Sequence, residues 1–159
     1  MPTRHTIASA ESGNALVELA ITLPLFALLI LGAAEIANLA WASVEVNNAA
    51  RAGAAYGSIS RANAANIPNI ELAAQNEAPK LTLAFPNPPT QVCYCVTSGT
   101  PGSPDVGCTT TNLTSCTSPS IIQVAVQVNT QAAVSPLVHY PGLPATYTVR
   151  AQATMGVLQ

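Results

Sequence analysis

Four cysteines, two histidines and a handful of carboxylates are the side chains best equipped for chemistry in this 159-residue chain. The cysteines cluster at Cys93, Cys95, Cys108 and Cys116. An even number of cysteines in a loop-rich stretch that carries Asn, Ser, Thr and Pro points to disulfides in an oxidising compartment. Zinc is the rival chemistry, but C-x-C, twelve residues, C, seven residues, C lacks the usual C-x₂₋₄-C pairs. Cys93 and Cys95 fall on the same face of one expected strand, so each pairs onward rather than with the other. Cys93 with Cys108 and Cys95 with Cys116, or the reverse, both satisfy that. Each such loop stabilises by about 3 kcal/mol in the chain-entropy model. The sequon Asn112-Leu113-Thr114 carries meaning only in a host that glycosylates.

Catalysis finds little to work with. After Glu77 the only acidic side chain is Asp105 and the only histidine is His139. A carboxylate pair for general acid–base work is therefore excluded from the C-terminal half. There is no G-x-S-x-G elbow beside His139, and no phosphate loop, dinucleotide fingerprint or H-E-x-x-H. The chain does not read as an enzyme, and no cofactor or metal is implied. Charged residues make up only 8 % and the formal net charge is -2, so there is no basic footprint for nucleic acid.

The remaining carboxylate of interest is Glu18, at the head of the apolar run Leu19 to Ala34. Residues 15–34 are apolar except Glu18 and Thr22, and as a helix they span about 30 Å, the thickness of a bilayer core. A carboxylate at the bilayer centre costs about 2.5–3.5 kcal/mol on insertion scales and less near an end. Glu18 thus lies at or just inside the boundary and needs a partner. Arg4 precedes the span, which places the leader on the cytoplasmic side and the bulk of the chain outside. Pro24 removes one helical hydrogen bond and is expected to kink the helix.

The elements that carry these residues divide the chain into an Ala-rich helical half and a half rich in Thr, Pro and Val. Helical spacing continues past Glu35 through Ile36, Leu39, Val44 and Arg51 to Ile59, with no proline until Pro68. One helix from about Asn14 to about Ser60 is expected, roughly 70 Å long. Gly53-x-x-x-Gly57 would permit another backbone to approach closely, or would mark a fraying helix. Trp41 follows the span where aromatic side chains mark the interface, or else packs in the core. A second short helix starts near Pro68 and ends before Pro79. Strands are expected at Lys80–Phe85, Gln91–Thr97, Ile121–Val134 and Ala145–Met155, on the alternation of Val124, Val126 and Val128 and of Tyr147, Val149 and Ala151. The fold class is therefore α+β. A long N-terminal transmembrane and amphipathic helix leads into a small antiparallel β domain with disulfides.

Gly13 and the wider stretch from Ala15 to Ser58 carry a resemblance as well. Gly13, then a carboxylate five residues on, then an apolar helix with one proline, is similar to the processing site of type IV prepilins. More narrowly, Val17-Glu18-Leu19, Leu23-Pro24-Leu25, Gly32-Ala33-Ala34-Glu35 and Asn48-Ala49-Ala50-Arg51-Ala52-Gly53-Ala54 resemble the TadE-like minor pilins, pseudopilins of tight-adherence (Flp) pilus systems. The C-terminal layout of valine-rich strand, proline-rich loop and final strand ending A-T-M resembles them too.

That resemblance implies a leader over 1–13 and cleavage between Gly13 and Asn14 by a prepilin peptidase. It implies a transmembrane helix over 14–34, a helical extension over 35–66 and an exported domain over 67–159. Glu18 would pair with the new α-amino group of Asn14, mostly cationic at neutral pH, on its own or a neighbouring subunit. Pro24 would let the helix bend in a packed filament. The implied partners are the peptidase, other minor pilins, the major pilin, the inner-membrane assembly platform and the membrane itself. The implied place is the bacterial inner membrane, single pass, with the C-terminal domain periplasmic or extracellular. Two other readings stand beside it. One is a membrane-anchored binding module unrelated to pili. The other is a secreted disulfide domain whose signal ends near Ala40-Trp41-Ala42.

Overall fold

The computed structural model describes residues 10–97, 100–101, 105–106, 121–139, 142 and 144–158. Arg4, His5, Cys108, Cys116 and the sequon at 112–114 lie outside the described residues.

A single helix, α1 (Ala10–Ser58), holds the first third of the chain. At the standard rise it is roughly 75 Å long. Its alanine content explains its persistence, since alanine is the best helix former. It begins earlier than the spacing predicts, because Ala10–Gly13 continue the helical turns, and it runs through Pro24 without a break. The end comes at Ser58, where Ser60 turns to an extended conformation and its side chain accepts a hydrogen bond from the Asn63 amide at 3.1 Å. That cap opens α2 (Arg61–Ala65), a helix the apolar spacing does not reveal. Asn66 closes α2 and caps α3 (Ile67–Glu77), accepting from the Asn69 amide, with Pro68 in the first turn. Proline there gives up only an N–H that has no intrahelical partner.

The sheet contains β1 (Leu83–Ala84), β2 (Thr90–Thr97), β3 (Thr100–Pro101), β4 (Asp105–Val106), β5 (Ile121–Val134) and β6 (Tyr147–Gly156). All described pairings are antiparallel. The strand β5 is central: β2 and β1 pair along one edge, at Gln91↔Val126 and Leu83↔Ala132, and β6 pairs along the other, at Thr130↔Ala151. Short β3 and β4 pair with the far edge of β2. The first strand is shorter than the Lys80–Phe85 expected. Gln75 explains this: its Nε2 donates to the Leu81 carbonyl at 2.7 Å and its Oε1 accepts from the Leu83 amide. Those backbone groups are thus held by a helix side chain rather than by a strand partner.

The core lies between α1 and one face of the sheet. Alternate residues of β5 (Val124, Val126, Val128, Thr130, Ala132 and Val134) are all buried. Facing them on α1 are Ala42, Val46, Ala49, Ala50 and Ala54, each fully buried. Small helix residues let the two backbones come close, and two glycines let them come closer. A Cβ on Gly57 would stand 3.0 Å from Val126 Cγ1, and one on Gly53 would stand 3.1 Å from the Ile70 carbonyl. The Gly53-x-x-x-Gly57 motif therefore serves packing within the chain. The side chain of Thr130, the buried polar residue of this core, donates to the Val46 carbonyl at 3.0 Å.

Candidate functional site

The long helix changes character along its length. From residue 13 to residue 41 no side chain is buried, and the first buried one is Ala42. Leu16, Ile21, Phe26 and Ile30 are among the large apolar side chains that stand exposed. This part of α1 is long and apolar enough to cross a membrane, and none of it is buried by the rest of the molecule. In water such a surface is costly, because burial of apolar area is worth about 25 cal/mol per Å². The first half of the helix therefore calls for an apolar surrounding that the chain itself does not supply.

Gly13, Asn14, Glu18 and Pro24 all lie on this uncovered half. Asn14 and Glu18 are four residues apart and so share one face of the helix. Nothing stands within 4 Å of where a Gly13 Cβ would be. Gly13 and Asn14 lie inside α1, so in the uncut chain Glu18 is more than a turn from the helix start. Glu18 falls in the first turn only if the chain begins at Asn14. Thr22 Oγ1 donates to the Glu18 carbonyl at 2.9 Å, which satisfies the hydroxyl locally in the middle of an apolar run.

At the end of that run, the helix and the β domain meet through polar groups. The Leu137 amide donates to both carboxylate oxygens of Glu35, each at 2.9 Å. One turn on, Asn38 Nδ2 donates to the Ser135 carbonyl at 3.3 Å. Both acceptor and donor lie just past the end of β5, where the ladder stops and the backbone would otherwise have no fixed partners. The sequence pattern contains Glu35 but does not reveal this task. Its helical phase does hint at it, because Glu35 lies on the same face as Leu39, Ala42 and Val46.

The second motif segment separates in the same way. Ala49, Ala50, Gly53 and Ala54 are buried, while Asn48 and Arg51 are exposed. Packing accounts for the small residues and leaves Asn48 and Arg51 facing outward. Cys93 is buried against Val124, and Cys95 pairs in register with Ile122 on the same face of β2. Trp41 is 43 % exposed, so it is not a core residue. His139 is exposed in the connection after β5. Among the described residues no group of three His, Cys, Asp or Glu side chains is placed to hold a metal ion. An open depression over Asn87, Asn129, Arg150 and Gln152 contains one charged side chain.

Comparison with known proteins gives one finding, and it falls on α1. No curated protein and no solved structure matches the chain. The family model described as TadE-like protein matches residues 13–55. That span begins at Gly13 and ends within the packed small-residue segment, so it contains both the uncovered half of α1 and most of the half that faces the sheet. Over residues 13–55 the chain is similar to the TadE-like family, which is associated with tight-adherence pili.

Proposed function

We propose that this chain is a pseudopilin of a tight-adherence pilus system, cut after Gly13 and packed through its N-terminal helix. The observation that carries this reading is the division of α1 at about residue 41. One half packs one face against the chain's own sheet, and the other is mostly apolar with no residue buried. A bilayer covers that half before assembly, and the helices of neighbouring subunits cover it afterwards. After cleavage Glu18 sits in the first turn, where the helix dipole favours negative charge. It faces the amine of Asn14 on its own or an adjacent subunit. Pro24 lies six residues further into the exposed half, where a bend disturbs no internal packing.

Residues 1–13 are then the leader, 14–34 the inner-membrane span, 35–66 its extension and 67–159 the exported domain. The partners are a prepilin peptidase, other minor pilins, the major pilin and the inner-membrane platform. Disulfides within the exported domain complete the reading, with Cys93 and Cys95 joined to Cys108 and Cys116. In support, no free cysteine is found among the described residues. Mass spectrometry after alkylation without reductant is expected to find no labelled thiol, and a labelled Cys93 or Cys95 would remove this part of the proposal.

The experiment for the whole reading is the mature N-terminus of protein taken from native membranes, determined by mass spectrometry. A start at Asn14 is expected. A start at Met1 or Pro2 reduces the helix to a plain anchor for a binding module. A start near Ser43 makes the chain a secreted domain, and either result defeats the proposal.

A further inference from the structure

The connection that follows β5 is held against α1 at the level where the apolar run ends. Glu35 is the first charged residue after Ala34, and both of its carboxylate oxygens accept from the Leu137 amide. Leu137 is nonetheless 62 % exposed, and Ile36 beside the same anchor is 72 % exposed. Two large apolar side chains thus stand open beside Glu35, the residue that directly follows the span.

The segment is also unusual in composition. From Ser135 to Thr146 there is no Asp, Glu, Lys or Arg, and Pro136, Pro141 and Pro144 carry no backbone N–H. A polypeptide at the edge of the hydrocarbon must have its polar backbone groups satisfied or absent. Here the Ser135 carbonyl is taken by Asn38 and the Leu137 amide by Glu35, and the prolines remove further donors. From these features we infer that the start of the β5–β6 connection is a second membrane contact. In this arrangement Leu137 is inserted into the lipid interface beside the transmembrane helix and sets the exported domain down on the bilayer surface. The occupant is lipid rather than a protein groove, because Leu137 is bonded to the residue that directly follows the exposed apolar run of α1. This inference rests on the reading of residues 14–34 as membrane-spanning.

The test uses the full chain in vesicles of phosphatidylcholine and phosphatidylglycerol whose acyl chains carry bromine both near the headgroup and near the methyl end. The chain has one tryptophan, Trp41, so Trp41→Phe gives a dark background. In it, Leu137→Trp reports the contact, Leu25→Trp reports the span, and Leu72→Trp on α3 reports the distal domain. All three positions are exposed in the protein, so a tryptophan there does not disturb the core. Emission from both Leu137→Trp and Leu25→Trp is expected to fall about twofold on bromination, with Leu72→Trp unchanged, as for aromatic side chains placed at the interface. If Leu25→Trp is quenched and Leu137→Trp behaves like Leu72→Trp, the span stands and this contact does not exist. If Leu25→Trp is itself unquenched, the span fails and the inference falls with it.

Discussion

Thr130 and Glu35 fasten the sheet to the long helix from opposite environments. Thr130 is buried and gives its hydroxyl to the Val46 carbonyl. Thr130→Val keeps the shape and removes the donor, while Val46 retains its place in the helix ladder. The expected loss is about 1 kcal/mol, the usual net worth of one hydrogen bond, measured by thermal unfolding of the detergent-solubilised protein. Glu35 works at the surface, and what it orders is a backbone amide. Glu35→Ala is expected to accelerate hydrogen exchange at Leu137 about fivefold, corresponding to ~1 kcal/mol. Glu35→Gln keeps one acceptor oxygen and should restore part of the protection. An amide that exchanges equally in all three proteins would show that the contact is not maintained in solution. The reach of Glu35 across 102 residues was not legible in the sequence. Local spacing fixes which way a helical side chain faces, but not which distant loop arrives there. By contrast, the shared face of Cys93 and Cys95 was legible, because it depends only on the two-residue period of one strand.

The elements themselves follow closely from pattern. Strand β5 occupies the expected Ile121–Val134, and β6 begins two residues later than expected and ends one later. The short α2 was hidden because five residues are too few to display a helical period. Its caps, Ser60 and Asn66, were the available signal. Packing of α1 against α3 and β5 depends on two glycines that composition alone could not assign to an inner or outer role. Gly57→Ala places a methyl carbon 3.0 Å from Val126 Cγ1. Overpacking of this kind costs about 1–3 kcal/mol, more than helix propensity returns. Gly32→Ala meets nothing within 4 Å and is expected to be neutral or to stabilise by up to ~1 kcal/mol. Thermal unfolding of the two variants side by side checks the contrast. Equal effects would mean that Gly57 is not at a close approach.

At the scale of the molecule, the chain is a short β domain mounted on the second half of a helix whose first half it leaves bare. Because no residue from 13 to 41 is buried, a chain beginning at Glu35 is expected to keep its sheet and its core. Its circular dichroism should lose helix only in proportion to the residues removed, and its thermal midpoint should match that of the full chain. A collapse of the sheet signal would show that the N-terminal half supports the domain after all. The two-part design was partly legible from the outset, since an apolar run followed by Ala-rich amphipathic turns marks the change of surroundings. The apolar run was read as ending at Ala34, but where packing against the sheet starts was not legible: burial begins at Ala42.

The β5–β6 hairpin is tied to α1 at two places far apart. One is the contact of Glu35 and Asn38 with Leu137 and Ser135. The other is at the opposite end, where the Leu158 amide donates to the Ser58 carbonyl at 2.9 Å. Between those ties lie roughly 35 Å of helix at the standard rise, lined by Val46, Thr130 and Gly57. Under tension along its axis, this stretch is braced by a β-ladder running alongside it, and it cannot lengthen without shearing the sheet. The stretch before Glu35 has no brace, and at Pro24 it already lacks one rung of its own ladder. Mechanical compliance is therefore concentrated in the bare half, and the domain rides a pulled helix as a stiff sleeve.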